Sequence, residues 1–360
     1  MIENLSAERL RIEPLGKISE VDWNEFVALA PEAWLWHRTD AVRALALWPG
    51  KRDLSFSVVN DSGKILAIFP LLLVTRGLLW PLTINRLESL GGPALHPGLS
   101  RGQRKAVFLA VFNRLKEIGE SYRVWETNVS LSAMAPILSS AEAPRVNPLL
   151  EWCFENRMAQ TWVIDLRGKS QDDIFRGYSE TTRNEIRRLI KTDHSVREAS
   201  GEKDFEIYYR LHCETYRRTG VRPHPRSYFD SIFHTFIPNC LSRILFFEKH
   251  GEVVAAQNTC FFKERAFYWT GASSAKRVGG ESKVLCHYQI LRAFDLGCEF
   301  FEVGEAFPDR RSGKAKGLSD FKRSFGGELF PLYRGCVMPE KRGRRFLVLL
   351  YECLKRAREA

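Results

Sequence analysis

The sequence lacks the cysteine pattern of a secreted or zinc-binding protein. No cysteine precedes Cys153, and the eight cysteines of the chain form no C-x-x-C pair. Cys260, Cys286 and Cys298 lie in apolar segments. This distribution is typical of free thiols in a reducing compartment, and it argues against a disulfide framework or a zinc site.

The sequence also lacks a long apolar run. Its most apolar stretch, from Ile65 to Trp80, is interrupted by Pro70 and Arg76 and is shorter than the roughly 20 residues that cross a bilayer. The first residues show neither the basic nor the apolar region of a signal peptide. We therefore expect a cytoplasmic protein without a transmembrane segment.

The composition favours two ordinary domains and an anionic partner. The chain has 360 residues, of which 44% are hydrophobic and 12% aromatic, enough to fill two cores. Its net charge of +11 favours nucleotides, phosphorylated sugars, RNA or an anionic lipid surface without choosing among them. The alternative is a basic surface that serves only solubility.

A similar succession of elements occurs twice. Each half has two β-type runs joined by a glycine-containing turn, then a helix ending at a glycine, then a strand. The runs occupy 54–59, 64–69, 101–119 and 122–126 in the first half, and 243–247, 252–256, 281–297 and 300–303 in the second. We interpret this as an internal duplication, the alternative being chance reuse of a common α/β unit.

The duplication predicts the domain limits. A turn-rich segment at 141–148 separates the halves, so we expect domains at 1–150 and 151–340. A helix is expected over about 172–191 in the second domain. The remaining 341–360 predict an amphipathic C-terminal helix that packs on the body, with a peripheral membrane contact as the alternative.

A glycine-rich loop in the second half suggests a phosphate site. Arg277-Val-Gly-Gly-Glu-Ser282 stands between an aromatic strand at 266–270 and the helix that begins at Glu281. Glycine lets the backbone approach a ligand closely, and the N–H groups of a helix start favour an anion. The alternative is an ordinary surface loop with a helix cap at Ser282.

Several segments of the chain together resemble the FemAB-like or BioF2-like branch of the GNAT acyltransferase superfamily. Their order and spacing carry the resemblance, which covers most of the chain and is stronger in the second half. The segments are Phe267-Tyr-Trp-Thr-Gly-Ala272, Ala293-Phe-Asp-Leu-Gly297, Glu302-Val-Gly304, Gly317-Leu-Ser-Asp-Phe-Lys322, Arg183-Asn-Glu-Ile-Arg187 and Thr215-Tyr-Arg-Arg-Thr-Gly220, with Trp23-Asn-Glu-Phe26 and Ile68-Phe-Pro-Leu-Leu72 in the first half.

The resemblance implies an α/β fold with mixed sheets, built as two tandem GNAT-like domains and a C-terminal helix. It implies transfer of an acyl group from an acyl-CoA donor to an amine acceptor, which is expected to be a cell-envelope or polysaccharide-related precursor. The alternatives are an aminoacyl-tRNA donor, with tRNA as partner, or a non-catalytic GNAT-like binding protein. No metal and no tightly bound cofactor are expected, because the donor acts as a co-substrate.

The resemblance also assigns the donor-binding loop. Arg277, Gly279, Gly280 and Ser282 match a loop that holds the donor pyrophosphate, with Ser282 at a position where the family has a small residue. Ser282 departs from the family's consensus at this last position, and Glu281 places a carboxylate where an anion should bind.

Catalytic and acceptor-binding residues follow in the same way. Lys322, between two phenylalanines, is expected to place its ammonium next to a developing oxyanion or a phosphate. Glu302 or Glu305, at the end of an apolar strand, is expected to accept the proton of the amine. The residues expected to bind the acceptor are Arg183, Arg187, Arg217 and Tyr268. Each of these could instead be an ordinary exposed or core side chain.

Overall fold

The structure, a computed structural model, describes residues 9–79, 82–141, 143–276, 279–308 and 310–338. The predicted C-terminal helix at 341–360 and the predicted donor ligand Arg277 therefore lie outside the described residues.

The first half contains eight strands and three α-helices among its described residues. They are β1 (Arg11–Pro14), α1 (Glu20–Leu29), α2 (Thr39–Ala46), β2 (Lys51–Asp53), β3 (Phe56–Val59), β4 (Ile65–Phe69), β5 (Leu72–Leu79), β6 (Leu82–Leu90), β7 (Ala94–Leu95), α3 (Arg101–Ser121) and β8 (Val124–Ser130).

The second half supplies nine strands and six α-helices in its described part. They are β9 (Glu155–Asn156), β10 (Ala159–Asp165), α4 (Gln171–Arg176), α5 (Glu180–Ile190), β11 (Ser195–Glu198), α6 (Gly201–Arg218), α7 (Arg226–Ser231), β12 (Ser242–Lys249), β13 (Glu252–Phe262), β14 (Arg265–Ser273), α8 (Glu281–Asp295), β15 (Phe300–Ala306), α9 (Gly313–Arg323), β16 (Glu328–Leu332) and β17 (Arg334–Val337). The repeated hairpin, helix and strand are present in both halves, as predicted, but the expected end of the first helix at Gly119 is wrong, because α3 continues to Ser121. The helix expected over 172–191 is wrong as a single element: it is two helices, the second capped by the Ser179 side chain.

Three sheets organise these elements. A four-stranded sheet has the order β1-β3-β4-β7, and a seven-stranded sheet the order β11-β12-β13-β14-β15-β10-β16. The third, of six strands, has the order β2-β5-β6-β8-β17-β9. Its last two strands come from the second half, since β17 pairs antiparallel with β8. The halves thus share a sheet, and the domain limits at 150 and 340 stay a prediction.

Alternation along β15 separates the two faces of the seven-stranded sheet. Phe301 and Val303 belong to a buried cluster with the apolar side chains of α5 and α8. Phe300 belongs to the cluster on the opposite face, which includes Tyr208 of α6 and Phe229 of α7. Burying a phenylalanine contributes about 2–3 kcal/mol, so these contacts hold β15 firmly between its helices.

The turn between β13 and β14 connects the halves. Lys263 adopts a positive φ at this turn, and its Nζ donates to the carbonyl oxygens of Ala30 and Ala33, at 2.7 and 3.0 Å, where α1 has just ended. A cation is favoured at a helix C-terminus. Next to it, Trp34 Nε1 donates to the Phe262 carbonyl at 3.0 Å. These contacts fix the sheet that carries β14 and β15 against the first half.

Candidate active site

The seven-stranded sheet divides between β14 and β15. These two strands are parallel and pair only from Arg265 with Phe300 to Phe267 with Glu302. Beyond that point β14 continues to Ser273 paired with β13, and β15 continues to Ala306 paired with β10. The strands therefore separate towards their carboxyl ends and leave a gap in the sheet.

The corresponding pair in the first half does not separate. There β6 and β8 pair from Asn85 with Val124 as far as Leu90 with Ser130, to the end of both strands. The following helix, α3, begins with a capping box in which Ser100 and Gln103 satisfy the first N–H groups. In the described residues, the second half alone combines separated parallel strands with a helix start that no side chain caps.

The glycine loop lies at the carboxyl end of β14. Gly279 and Gly280 have φ values of 98° and 94°, which L-residues rarely adopt. A Cβ on Gly280 would also lie 2.6 Å from Leu189 Cδ1 of α5. Both glycines are thus required by the backbone, and Gly280, not Ser282, is the N-cap of α8.

The carboxylate of Glu281 lies at the predicted phosphate position. Its Oε2 accepts from the Gly279 N–H at 2.9 Å, and the side chain is buried. Gly279, Gly280 and Ser282 lie at this helix start, and the Gly279 N–H is already engaged. Donor binding by these residues stays a prediction that requires Glu281 to turn away or share its place.

The end of α6 holds the first part of this loop. Thr215 Oγ1 donates to the Ser273 carbonyl at 2.9 Å and accepts from its N–H at 2.7 Å. The Arg218 guanidinium donates to the same carbonyl and to Ser273 Oγ at 2.9 Å. The segment 215–220 therefore positions the end of β14, and its fixed contact comes from Arg218. The predicted Arg217 is exposed beside it.

Two of the predicted acceptor ligands support helices. Arg183 Nη1 donates to the carbonyl of Arg176 at 2.8 Å and to that of Tyr178, and so closes the break between α4 and α5. The Arg187 guanidinium lies 5.2 Å from the ring centre of Phe175. These contacts give both arginines a structural role, and their binding of an acceptor stays a prediction.

Tyr268 marks the point at which β14 leaves β15. Its ring centre lies 6.2 Å from that of Phe321, and burial raises the pKa of its hydroxyl above the ordinary range. A Cβ on Gly271 would lie 2.2 Å from this hydroxyl, so the glycine makes room for it. Tyr268 therefore lies beside the gap, next to the helix that carries Lys322.

Glu302 is a buried carboxyl group at the last position where β15 pairs with β14. Only 6% of the residue is exposed, and Thr161 Oγ1 donates to its Oε1 at 2.7 Å. Burial raises the pKa of Glu302 to about 7, against the opposing effects of the Thr161 hydrogen bond and the Lys322 charge. A carboxyl group of this kind exchanges a proton near neutral pH.

Lys322 extends from α9 to the end of β15. Its Nζ donates to the Glu305 carbonyl at 2.9 Å and lies 5.4 Å from the ring centre of Phe307. Gly304, at φ 117°, makes room for it, because a Cβ there would lie 3.1 Å from Nζ. Burial lowers the pKa of Lys322, and the charges of Glu305 and Glu302 oppose this.

Glu305 is held by an arginine that the sequence analysis missed. Both of its carboxylate oxygens accept from the Arg334 guanidinium, at 2.8 and 2.7 Å. Arg334 begins β17, the strand that joins the sheet of the first half. Because Arg334 engages both oxygens of Glu305, Glu305 connects the two sheets, and Glu302 is the better candidate for a base.

Two cavities flank the glycine loop. One, of about 440 Å³, lies along α5 and is lined by Glu185, a neighbour of Gly280. The other, of about 580 Å³, lies between α6 and the β12–β13 turn and is lined by Ser274, Ala275 and Lys276 of the loop. Neither is lined by both the loop and Lys322, so a cavity common to these two elements stays a prediction.

The described part of the chain contains neither a metal-binding cluster nor a membrane-spanning helix. No group of three or more histidine, cysteine, aspartate and glutamate side chains there could hold a metal ion. No helix within these same ranges combines the length and the apolar character that a membrane span requires.

Comparison with known proteins finds a family match within the second half and a similar fold over most of the chain. Residues 176–323 match the family model of an acetyltransferase (GNAT) domain, and no curated protein sequence matches the chain. The structure of FemX is similar, with 14% identity, a TM-score of 0.65, and coverage of 90% of this chain and 96% of that one.

Two further solved structures are similar over most of their length. A tandem GNAT protein from the clavulanic acid biosynthesis pathway has 12% identity and a TM-score of 0.57, covering 92% of this chain and 100% of that one. L-PGS from Bacillus licheniformis has 12% identity and a TM-score of 0.56, covering 94% and 97%. Identities this low establish a common fold alone. Residues 176–323 thus match a GNAT acetyltransferase domain, within a chain that has the mixed α/β fold of FemX and of a tandem GNAT protein.

Proposed function

We propose that this protein is an N-acyltransferase that moves an acyl group from an acyl-CoA donor to an amine. The observation that carries the proposal is the separation of β14 from β15, with Glu302 at its start and Lys322 at the end of β15. The match of 176–323 to an acetyltransferase domain supports it.

The gap favours a donor with an extended, amide-containing arm. Beyond Phe267, the edge of β14 that faces β15 has no strand partner among the described residues. Unpaired backbone N–H and C=O groups need hydrogen-bond partners, and an extended ligand can add to such an edge as a strand would. The pantetheine arm of CoA carries two amides and meets this requirement. Aminoacyl-tRNA is the alternative donor, and the net charge of +11 is equally compatible with it.

The reaction forms a C–N bond and breaks the C–S bond of the thioester. The amine attacks as its proton passes to the Glu302 carboxylate, a transfer suited to a pKa of about 7. The Lys322 ammonium stabilises the negative charge that develops on the carbonyl oxygen. The thiolate then leaves and takes up a proton, either from Glu302 or from water.

The acceptor is proposed to be an amine of a cell-envelope or polysaccharide-related precursor, and the reaction to take place in the cytoplasm. Arg217 and Tyr268, together with Arg183 and Arg187, are the residues proposed for acceptor binding. An anionic acceptor group would be bound bidentately by such arginines.

The test is a transfer assay with the purified full chain. Acetyl-CoA and longer acyl-CoA donors are incubated with amino sugars and peptide amines, and released thiol and acylated product are measured. Lys322→Ala should lower kcat/KM by about 100-fold. Lys314→Ala, an exposed lysine of the same helix, is the control and should change it little.

The donor is identified by thermal stabilisation. A ligand present at about 100 times its Kd stabilises the folded state by about 2.7 kcal/mol, so CoA should raise the Tm and tRNA should not. Stabilisation by tRNA alone would indicate aminoacyl-tRNA, instead of acyl-CoA, as the donor. Absence of transfer with either donor, or unchanged transfer by both Lys322→Ala and Glu302→Gln, would overturn the proposed function.

A further inference from the structure

The outer face of α3 is apolar at its centre and basic at its ends. Leu109 and Phe112 are 50% and 44% exposed, and Lys105 and Lys116 are exposed as well. The spacings of three, four and seven residues between these positions place all four side chains on one side of the helix. We call Lys105, Leu109, Phe112 and Lys116 the α3 outer face.

This face lies opposite the residues that attach α3 to the body. Val107, Val111 and Ile118 are buried in the core of the first half. Phe108, at the border, stacks on Phe112 with ring centres 6.3 Å apart and contacts Trp152 at 4.9 Å. The apolar centre of the outer face is therefore supported by further aromatic side chains and is fixed in position.

We propose that the α3 outer face binds the surface of an anionic lipid bilayer. An interfacial helix lies in the plane of the membrane, with leucine and phenylalanine inserted between the headgroups and lysine beside the anionic lipids. The α3 helix carries five basic residues and two acidic ones, and one of the acidic residues, Glu117, is paired with Arg114. Its charge thus complements an anionic surface.

Charge also argues against the other occupants. Two copies of this chain would bring like charges together across the face. The chain's own segment 341–360 has seven basic and two acidic residues, so it would be repelled by Lys105 and Lys116. An anionic bilayer attracts both the helix and that segment. The inference concerns a surface on the first half and does not depend on the transferase proposal.

The experiment measures cosedimentation of the full chain with vesicles. Vesicles of phosphatidylcholine alone are compared with vesicles in which about one third of the lipid is phosphatidylglycerol. The protein should bind the anionic vesicles and leave the neutral ones. Binding should fall as salt is raised from about 0.1 M to about 1 M, because the screening length shortens from about 10 Å to about 3 Å.

Matched double variants test the face itself. Leu109→Glu with Phe112→Glu, and separately Lys105→Glu with Lys116→Glu, should weaken binding by at least about tenfold. The control is Val21→Glu with Leu29→Glu on α1, whose side chains are 65% and 55% exposed. It introduces the same charge as the first variant and should bind as the parent does.

The proposal is overturned if the parent binds neither kind of vesicle or binds both equally. It is equally overturned if the α3 variants bind as the parent does, or if the α1 control loses binding to the same extent. A changed molecular mass of the Leu109/Phe112 variant would show that the face is covered by a second copy in the parent, and this too would refute membrane binding.

Discussion

The substitution Glu302→Gln is expected to remove transfer activity and to stabilise the protein at alkaline pH. Glutamine keeps the size of the side chain and can still accept the Thr161 hydrogen bond, now at 2.7 Å, but it never ionises. In the parent, burial disfavours the charged form of Glu302 and raises its pKa from the ordinary 4.5 to about 7.

The sign and size of the stability change follow from the difference between these two pKa values. Below pH 4.5 the carboxyl group is neutral in the folded and the unfolded chain, so it costs no stability. As the pH rises towards 7, the unfolded chain ionises first, and the free energy of unfolding of the parent falls. Because each tenfold change is worth about 1.4 kcal/mol, the loss approaches about 3 kcal/mol above pH 7.

The assay is thermal unfolding of parent and variant across this pH range. With an unfolding entropy of about 2.1 cal/mol/K per residue, 3 kcal/mol corresponds to about 4 °C for the whole chain. The Tm of the variant should match that of the parent near pH 4 and exceed it by about 4 °C at pH 8. In the same range the transfer rate of the parent should rise with pH through about 7, as Glu302 ionises.

Glu305→Gln is the matched control on the same strand. Glu305 forms a half-exposed ion pair with Arg334, so its removal should lower stability by at most about 1 kcal/mol. An equal Tm difference between parent and Glu302→Gln at pH 4 and pH 8 would refute the buried, nearly neutral carboxyl group. If Glu305→Gln gained stability at alkaline pH as Glu302→Gln does, the alkaline loss of stability could not be assigned to Glu302.

Three further substitutions test the supports of the site. Gly304→Ala should lower the free energy of unfolding by about 1–3 kcal/mol, because φ is 117° and the new Cβ would displace Lys322. Thermal unfolding measures this against the control Gly317→Ala, whose Cβ would meet no neighbour and should not destabilise the protein. Lys263→Met should lower the free energy of unfolding by about 1–3 kcal/mol, because the Ala33 carbonyl loses its Lys263 donor while the Ala30 carbonyl keeps the Ala33 N–H. An unchanged Tm would contradict this. Arg218→Ala should raise the KM for the donor several-fold in the transfer assay with little change in kcat, because Arg218 positions the end of β14 through Ser273. A fall in kcat alone would contradict this role of Arg218.

The fold was largely predictable because its signals are local. The hairpin turns, the helices and the strands that follow them each occupy a short segment, and both copies appear where the sequence indicates them, although only α8 and not α3 ends just before the predicted glycine. The split between α4 and α5 was missed, although Ser179 is a typical N-cap. The pairing of β17 with β8 joins residues about 200 positions apart, and no local signal predicts it.

The candidate site was predictable in its parts but not in its contacts. Glu302 lies on β15 and Lys322 of α9 contacts the end of that strand, while their catalytic roles stay predictions. Arg334 was missed because its partner Glu305 is reached only through the return of β17. The engagement of the Gly279 N–H by Glu281 had a signal in the sequence, the carboxylate next to the glycines, but its direction depends on three-dimensional packing.

Hydrogen exchange with and without CoA tests most directly the claim that the donor enters between β14 and β15. The account predicts slower exchange in 268–276 and 279–285 and in 303–307, where backbone groups face the gap and the start of α8. It predicts no change in 85–90 and 124–130, where β6 and β8 are already paired. Protection confined to β6 and β8, or to residues remote from both pairs, would contradict it.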